Sequence, residues 1–237
     1  MDFKFDNFIK ELEKLSITLS EKQFEQFRMY YEMLVEKNKV MNLTAITEWE
    51  EVLEKHFLDS VSLIRAVDLQ QNLSLMDMGT GAGFPGIPLK IVFPNLKVTL
   101  ADSLNKRVLF LQEVIDVLKL EGIEAVHGRA EDLARDNQYR QQYDLCVSRA
   151  VANLSTLSEY CLPFVKIGGS FVSYKSGACE EEVQASKSAV FLLGGKMKDV
   201  VKFDLGESGR SFIVIEKVKG TPKTYPRKAG TPSKKPL

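Results

Sequence analysis

The run Leu75-Met76-Asp77-Met78-Gly79-Thr80-Gly81-Ala82-Gly83 puts an apolar segment ending in an acid directly before three glycines at alternate positions. An apolar stretch at helical spacing comes next, to Pro94. The pattern predicts a strand, a tight turn and a helix. Glycines there permit positive φ and let a ligand approach bare main chain. Gly81-Ala82-Gly83-Phe84-Pro85-Gly86 matches the dinucleotide fingerprint G-x-G-x-x-G, and Asp102 stands about 20 residues on, where an acid receives a ribose hydroxyl. By pattern alone, a nicotinamide-dependent oxidoreductase is one reading. Two details oppose it. Pro85 and Pro88 remove N–H donors from the turn of helix that would receive a pyrophosphate, and Asp77 would confront a phosphate with a carboxylate. A phosphate-free, cationic ligand suits the turn better. S-adenosylmethionine is such a ligand, with a ribose for Asp102, a sulfonium and an amino group for acidic surroundings, and an adenine for an edge near Ala130 and Glu131.

The remainder of the chain reads as helices first and then as alternating strand and helix. Ser20 and Gln23 form a capping box, with Leu19 and Phe24 as a hydrophobic staple. Phe24, Phe27, Tyr31 and Leu34 continue as an amphipathic stripe. Thr47 with Glu50 offers a second box for a helix reaching about Val67, on which Val52, His56, Asp59 and Leu63 share a face. His56 and Asp59 are therefore expected to pair, as a structural hydrogen bond or as a catalytic dyad. Strands are expected at 97–101, 123–126, 143–148, 170–174, 197–204 and 211–218. Helices are expected at 106–118, 153–165 and about 180–193, with a turn at Gly168-Gly169. This is an α/β pattern with a mostly parallel sheet and helices on both faces. Asp77, Asp102, Ala130, Arg149 and Lys175 all fall at carboxyl ends of strands, where ligands of such sheets sit. Three parts are expected: a helical extension over 1–70, an α/β domain over 71–218 and a basic tail over 219–237.

Charge separates the last part from the rest. Net charge is zero, yet seven of the 32 basic residues and no acid fall between Lys217 and Leu237. Four prolines and two glycines in that stretch argue for an extended segment, either a solvated end or an arm that binds a polyanion. The apolar runs fall short of the ~20 residues of a membrane span, and charges in the first turns oppose a signal peptide. A cytoplasmic protein with no membrane partner is expected. Cys146, Cys161 and Cys179, with two histidines, give neither a disulfide framework nor a metal site.

Taken together, Asn42-Leu43-Thr44, His56-x-x-Asp59-Ser60, Asp77-x-Gly79-Thr80-Gly81-x-Gly83-x-Pro85-Gly86-x-Pro88-Leu89, Asp102-Ser103-x-x-Lys106-Arg107 and Ser148-Arg149-Ala150 resemble the bacterial small-subunit ribosomal RNA methyltransferase G family, also called glucose-inhibited division protein B. The resemblance spans the chain. It implies a class I S-adenosylmethionine-dependent methyltransferase of Rossmann-like fold that methylates N7 of one guanine in 16S ribosomal RNA. It further implies cofactor contacts from Gly79, Phe84, Ala130, Glu131 and Arg149; Gly81 and Asp102 join them from the turn and from strand order. The Arg227-Lys228-x-Gly230-Thr231-Pro232 tail resembles only some members.

The chemistry fits what is missing. N7 of guanine carries an in-plane lone pair, so no general base is obligatory and no catalytic residue is singled out. The Asn/Asp-Pro-Pro-aromatic strand end that suits an exocyclic amine is absent. Arg149, Lys175, Arg210, Lys106, Arg107, Arg227 and Lys228 are candidate RNA contacts, read as phosphate or cofactor ligands because the acceptor edge of the guanine must stay free. The expected partner is 16S RNA, within the small subunit or an assembly intermediate, and the expected state is a monomer. A nicotinamide-dependent oxidoreductase and a non-catalytic RNA-binding assembly factor are the competing readings.

Overall fold

The computed structural model describes residues 3–149 and 152–237; Met1, Asp2 and Val151 lie outside them, as does Ala150 of the Ser148-Arg149-Ala150 segment. Helices α1 (Asp6–Lys14) and α2 (Glu21–Met41) come first. The capping box is present: Gln23 N–H donates to Ser20 Oγ at 3.4 Å and Ser20 N–H donates to Gln23 Oε1 at 2.8 Å. Asn42 ends α2 at φ 48°, a left-handed conformation that asparagine tolerates. One face of α2 buries Phe27, Tyr30, Tyr31 and Leu34 in the same core that receives one face of the sheet.

The next helix departs from expectation. Glu48 takes the N-cap position without a side-chain bond, so the Thr47–Glu50 box does not form. The segment breaks into α3 (Trp49–Val52), a π turn (Leu53–Leu58), α4 (Asp59–Val61) and a 3-10 turn (Ser62–Arg65). A π turn accommodates an extra residue and re-aims the side chains around it, and His56 lies within it.

The sheet then forms from β1 (Ser74–Met78), β2 (Lys97–Asp102), β3 (Ile123–His127), β4 (Tyr143–Arg149), β5 (Val165–Ser176), β6 (Gly195–Leu205) and β7 (Ser208–Lys217). Between them lie α5 (Gly86–Val92), α6 (Asn105–Leu118), α7 (Ala130–Leu133), α8 (Leu154–Cys161) and α9 (Glu180–Leu192), and α10 (Thr231–Lys234) comes after β7. Among the described residues the strand order is β3-β2-β1-β4-β5-β7-β6, with β7 antiparallel to both its neighbours and the other pairings parallel. Alternation sorts each central strand between two layers. Leu75, Leu145 and Val172 join the core beneath α2 and α6, while Met76, Cys146 and Phe171 join the core beneath α8. Chain order reverses between β1 and β4, and a crevice at the carboxyl ends of such strands is where ligands sit.

Two boundaries shift for local reasons. Gly168 and Gly169 make no turn between elements; β5 runs through them with a register shift against β4. A Cβ at Gly169 would stand 2.5 Å from Asp144 O, so glycine lets the strands approach. The expected helix 153–165 stops at Cys161 and tightens to a 3-10 turn at Leu162–Phe164, where Pro163 contributes no N–H.

The basic tail is neither extended nor detached. Arg140 donates to the carbonyls of Thr221, Pro222 and Tyr225, and Arg135 donates to that of Pro226. Arg227 lies on the fully buried Glu159 of α8, and Thr156 Oγ1 donates to Pro232 O at 3.0 Å. Internal cations on the body hold the segment's backbone, and Tyr225 and Leu237 pack against the core beneath α8. Among the described residues, no helix is long and apolar enough to cross a membrane.

Candidate functional site

The glycine turn holds itself together with its own amides. Gly79, Gly81 and Gly83 take φ of 72°, 63° and 108°. Gly79 and Thr80 donate N–H to Ala101 O, Gly83 and Phe84 to Thr80 O, and Ile87 to Gly83 O. Gly81 N–H donates to Asp102 Oδ2 at 3.0 Å and Gly86 N–H to Asp77 Oδ2 at 2.8 Å. Donors that a pyrophosphate requires are therefore spent inside the protein. The glycines also differ in purpose. A Cβ on Gly86 would meet Leu100 at 2.3 Å and one on Gly83 would meet Ile87 at 2.5 Å, whereas one on Gly81 meets nothing within 4 Å. Packing requires the first two, and Gly81 faces open space.

Asp77 is fully buried and clasps the turn, accepting from Thr80 Oγ1 at 2.6 Å as well as from Gly86. Burial pushes its carboxyl up to about 6, against those two hydrogen bonds and Arg149. Its Oδ1 has no protein partner. The expectation that Asp77 meets the ligand's charge directly is corrected: it braces the loop from beneath.

Beside this turn a cavity of about 580 Å³ opens across the ends of β1 to β4, within the size range of small-molecule sites. Gly79, Asp102, Ala130, Glu131 and Arg149 line it, as the sequence led one to expect, and Arg107 does too. Gly81 and Phe84 are not in its wall. Phe84 is buried beneath two other side chains, with the His56 ring stacked on it at 4.5 Å and the Arg149 guanidinium 5.0 Å from its centre. Asp102 is 3% exposed and accepts from Gly81 N–H, Leu104 N–H and Arg107. Those donors fix its orientation at the end of β2. Among the lining residues that were not site candidates from the sequence are Arg129, Tyr160 and Gly230. Arg129 directly precedes Ala130 and was open to notice; Tyr160 and Gly230 arrive only through tertiary packing.

A cluster stands next to the cavity, around a fully buried carboxylate. Arg210 grips Asp59 with two hydrogen bonds of 2.7 Å, and Arg149 adds one of 2.9 Å. The expected His56–Asp59 pair is thus replaced by arginine pairing. Arg149 also approaches His56 Nδ1 at 3.4 Å, and Nε2 lies 2.7 Å from Thr44 Oγ1. With an arginine facing Nδ1, the proton of the neutral ring is assigned to Nε2. Burial first, and Arg149 second, push the imidazole down to about 4.

The remaining candidate cations divide. Lys175 donates to Glu182 at 2.7 Å and to Ala152 O, and Arg227 is committed to Glu159, so neither is a free phosphate ligand. Lys106 and Lys228 are exposed. All three cysteines are free and buried, and no cluster able to hold a metal ion occurs among the described residues.

Comparison with known proteins adds an independent view. The family model described as rRNA small subunit methyltransferase G matches residues 23–211. Among curated relatives, the ribosomal RNA small subunit methyltransferase G of Lachnoclostridium phytofermentans is 54% identical over 97% of this chain and 96% of its own length. That of Staphylococcus carnosus is 52% identical over 97% of each. Solved structures share the fold at low identity. An S-adenosylmethionine-dependent methyltransferase from Aquifex aeolicus has a TM-score of 0.52 at 19% identity, covering 70% of this chain and 92% of that one. M. jannaschii TYW2 in complex with AdoMet has a TM-score of 0.53 at 17% identity, covering 68% and 77%.

Proposed function

The chain belongs to the rRNA small subunit methyltransferase G family, and on that premise we propose that it transfers a methyl group from S-adenosylmethionine to N7 of one guanine in 16S ribosomal RNA. The observation that carries the cofactor reading is the spent amide set of the glycine turn beside buried carboxylates. It supports a ligand that needs acceptors for a diol and an amine, and it disfavours a pyrophosphate. The nicotinamide reading therefore falls, despite the fingerprint.

The residues fit the proposed cofactor. Asp102, held by three donors, would take the ribose hydroxyls; Ala130 and Glu131 would hold the adenine, the Gly79 main chain would approach the ligand closely, and Arg149 would pair with its carboxylate. When bound, the cofactor supplies an electrophilic methyl group on a sulfonium. The acceptor N7 brings its own lone pair, so the protein has no proton to remove. Its residues contribute alignment, which is worth roughly 7–11 kcal/mol in favourable cases. His56, held neutral beside Arg149, adds no charge that would oppose a cationic product.

For RNA, the exposed Lys106, Arg129 and Lys228 and the partly exposed Arg107 are the cations available to phosphates, with Arg107 and Arg129 in the cavity wall; Arg210, held by Asp59, is committed within the protein. Residues 1–70 serve as a helical extension and 71–218 as the methyltransferase domain, acting as a monomer in the cytoplasm on small-subunit RNA or a particle containing it. Incubation with methyl-labelled S-adenosylmethionine and unmethylated small subunits, or their naked RNA, tests the proposal. Label in the RNA is expected. Cofactor binding without label would favour an assembly factor.

A further inference from the structure

The carboxy-terminal segment takes a well-defined path back to the cavity. After β7, Lys217 is fully buried and donates to Leu162 O, and Thr221 Oγ1 donates to Leu193 O. The chain then crosses Arg140 and Arg135 and reaches α8. There Arg227 donates to both oxygens of Glu159, at 3.0, 3.1 and 2.6 Å, and its own N–H adds a bond of 2.7 Å. Glu159 is fully buried, so these bonds are charge-assisted and their acid is shielded from water, while the Arg227 side chain stays partly exposed. Beyond it Gly230, at φ 79°, turns its N–H onto Glu131 Oε1 at 2.9 Å and becomes part of the cavity wall.

We propose that residues 219–237 form a strap that completes the cofactor cavity, fixing Glu131 from behind and supplying the Gly230 side of the wall, so that tail docking and cofactor binding stabilise each other. This rests on the reading of the cavity as the S-adenosylmethionine site. Coupling between two such events is reciprocal: whatever the docked tail adds to affinity, the bound ligand returns as protection of the tail. Five exposed lysines still stand on the strap. Its backbone, however, is committed to the cavity and not to a free polyanion-binding arm.

The test uses S-adenosylhomocysteine as the probe and reads binding, not turnover. In the intact protein, saturating probe slows tryptic cleavage after Lys223, Arg227 and Lys228 at least tenfold. In a chain ending at Val218, calorimetry gives a Kd at least tenfold weaker, with the cooperative thermal transition retained. Should that truncation not fold, Thr156→Val, which removes only the hydroxyl donating to Pro232 O, raises Kd and speeds tail cleavage together. Tail cleavage at the same rate with and without probe, or equal affinity in a folded truncation, overturns the proposal. Failure of the intact chain to bind the probe at all would instead overturn the reading of the cavity.

Discussion

Asp59 is the residue on which two strand ends meet the helical extension. One carboxylate serves two guanidiniums, so the trio carries a single net positive charge in a buried place. Removing one partner of a buried pair strands the others, at a cost of about 3–5 kcal/mol. Asp59→Asn is expected to lower the unfolding free energy in urea by about 3 kcal/mol; a change under about 1 kcal/mol would mean water already satisfies the arginines. His56 gives a pH signature. Its folded value of about 4 lies below the ordinary 6.5, so between those values the unfolded chain binds the proton and the folded chain does not. Stability from this group is then lost as pH falls from 6.5 to 4. Asp77, raised to about 6, works in the opposite direction between 6 and 3.8, so the comparison must isolate the histidine. Denaturation of the native protein and His56→Gln across that range does so, and the variant is expected to lose less stability on the acid side. A ring that titrates near the ordinary 6.5 by NMR would contradict the assignment.

At the scale of elements, the glycine turn shows what was legible in the sequence and what was not. Strand, turn and helix are dictated by an apolar run meeting three glycines, and all three glycines do take positive φ. Residue types alone do not say that Gly86 is there for Leu100 and Asp77, or that Gly81 faces open space; both facts depend on β2 lying alongside. The two positions give a paired prediction. Gly86→Ala lowers stability by overpacking, roughly 1–3 kcal/mol, with cofactor affinity tracking the folded fraction. Gly81→Val strains a backbone held at φ 63°, so affinity is read per folded protein: calorimetry on the folded fraction is expected to show S-adenosylmethionine binding at least tenfold weaker, and unchanged affinity would move the ligand away from the turn. The π turn at Leu53–Leu58 was invisible for a different reason. Its apolar spacing reads as ordinary helix, and only contacts with Phe84, Arg149 and Thr44 show where His56 is aimed.

Across the whole molecule, charge is distributed differently from what its sequence suggests. Seven basic residues against no acid suggested a detached arm, but two of them are withdrawn: Arg227 onto Glu159, and Lys217 into the core, where burial pushes its ammonium down to about 7. The acids and arginines that hold the tail lie some 60 to 100 positions earlier in the sequence, a separation local pattern does not convey. The molecule thus presents one cavity at the strand ends, walled by the β1–β4 loops and by its own last residues, with cations around the mouth. The proposed product is a methyl group on one ring nitrogen of one base. Its most direct measurement is to treat unmethylated small subunits with the protein and labelled S-adenosylmethionine, then to map the product by chemical cleavage selective for N7-methylguanine. The predicted result is label at one guanine of the 16S RNA, abolished by Asp102→Ala; label on another atom, on many guanines or on none would contradict it.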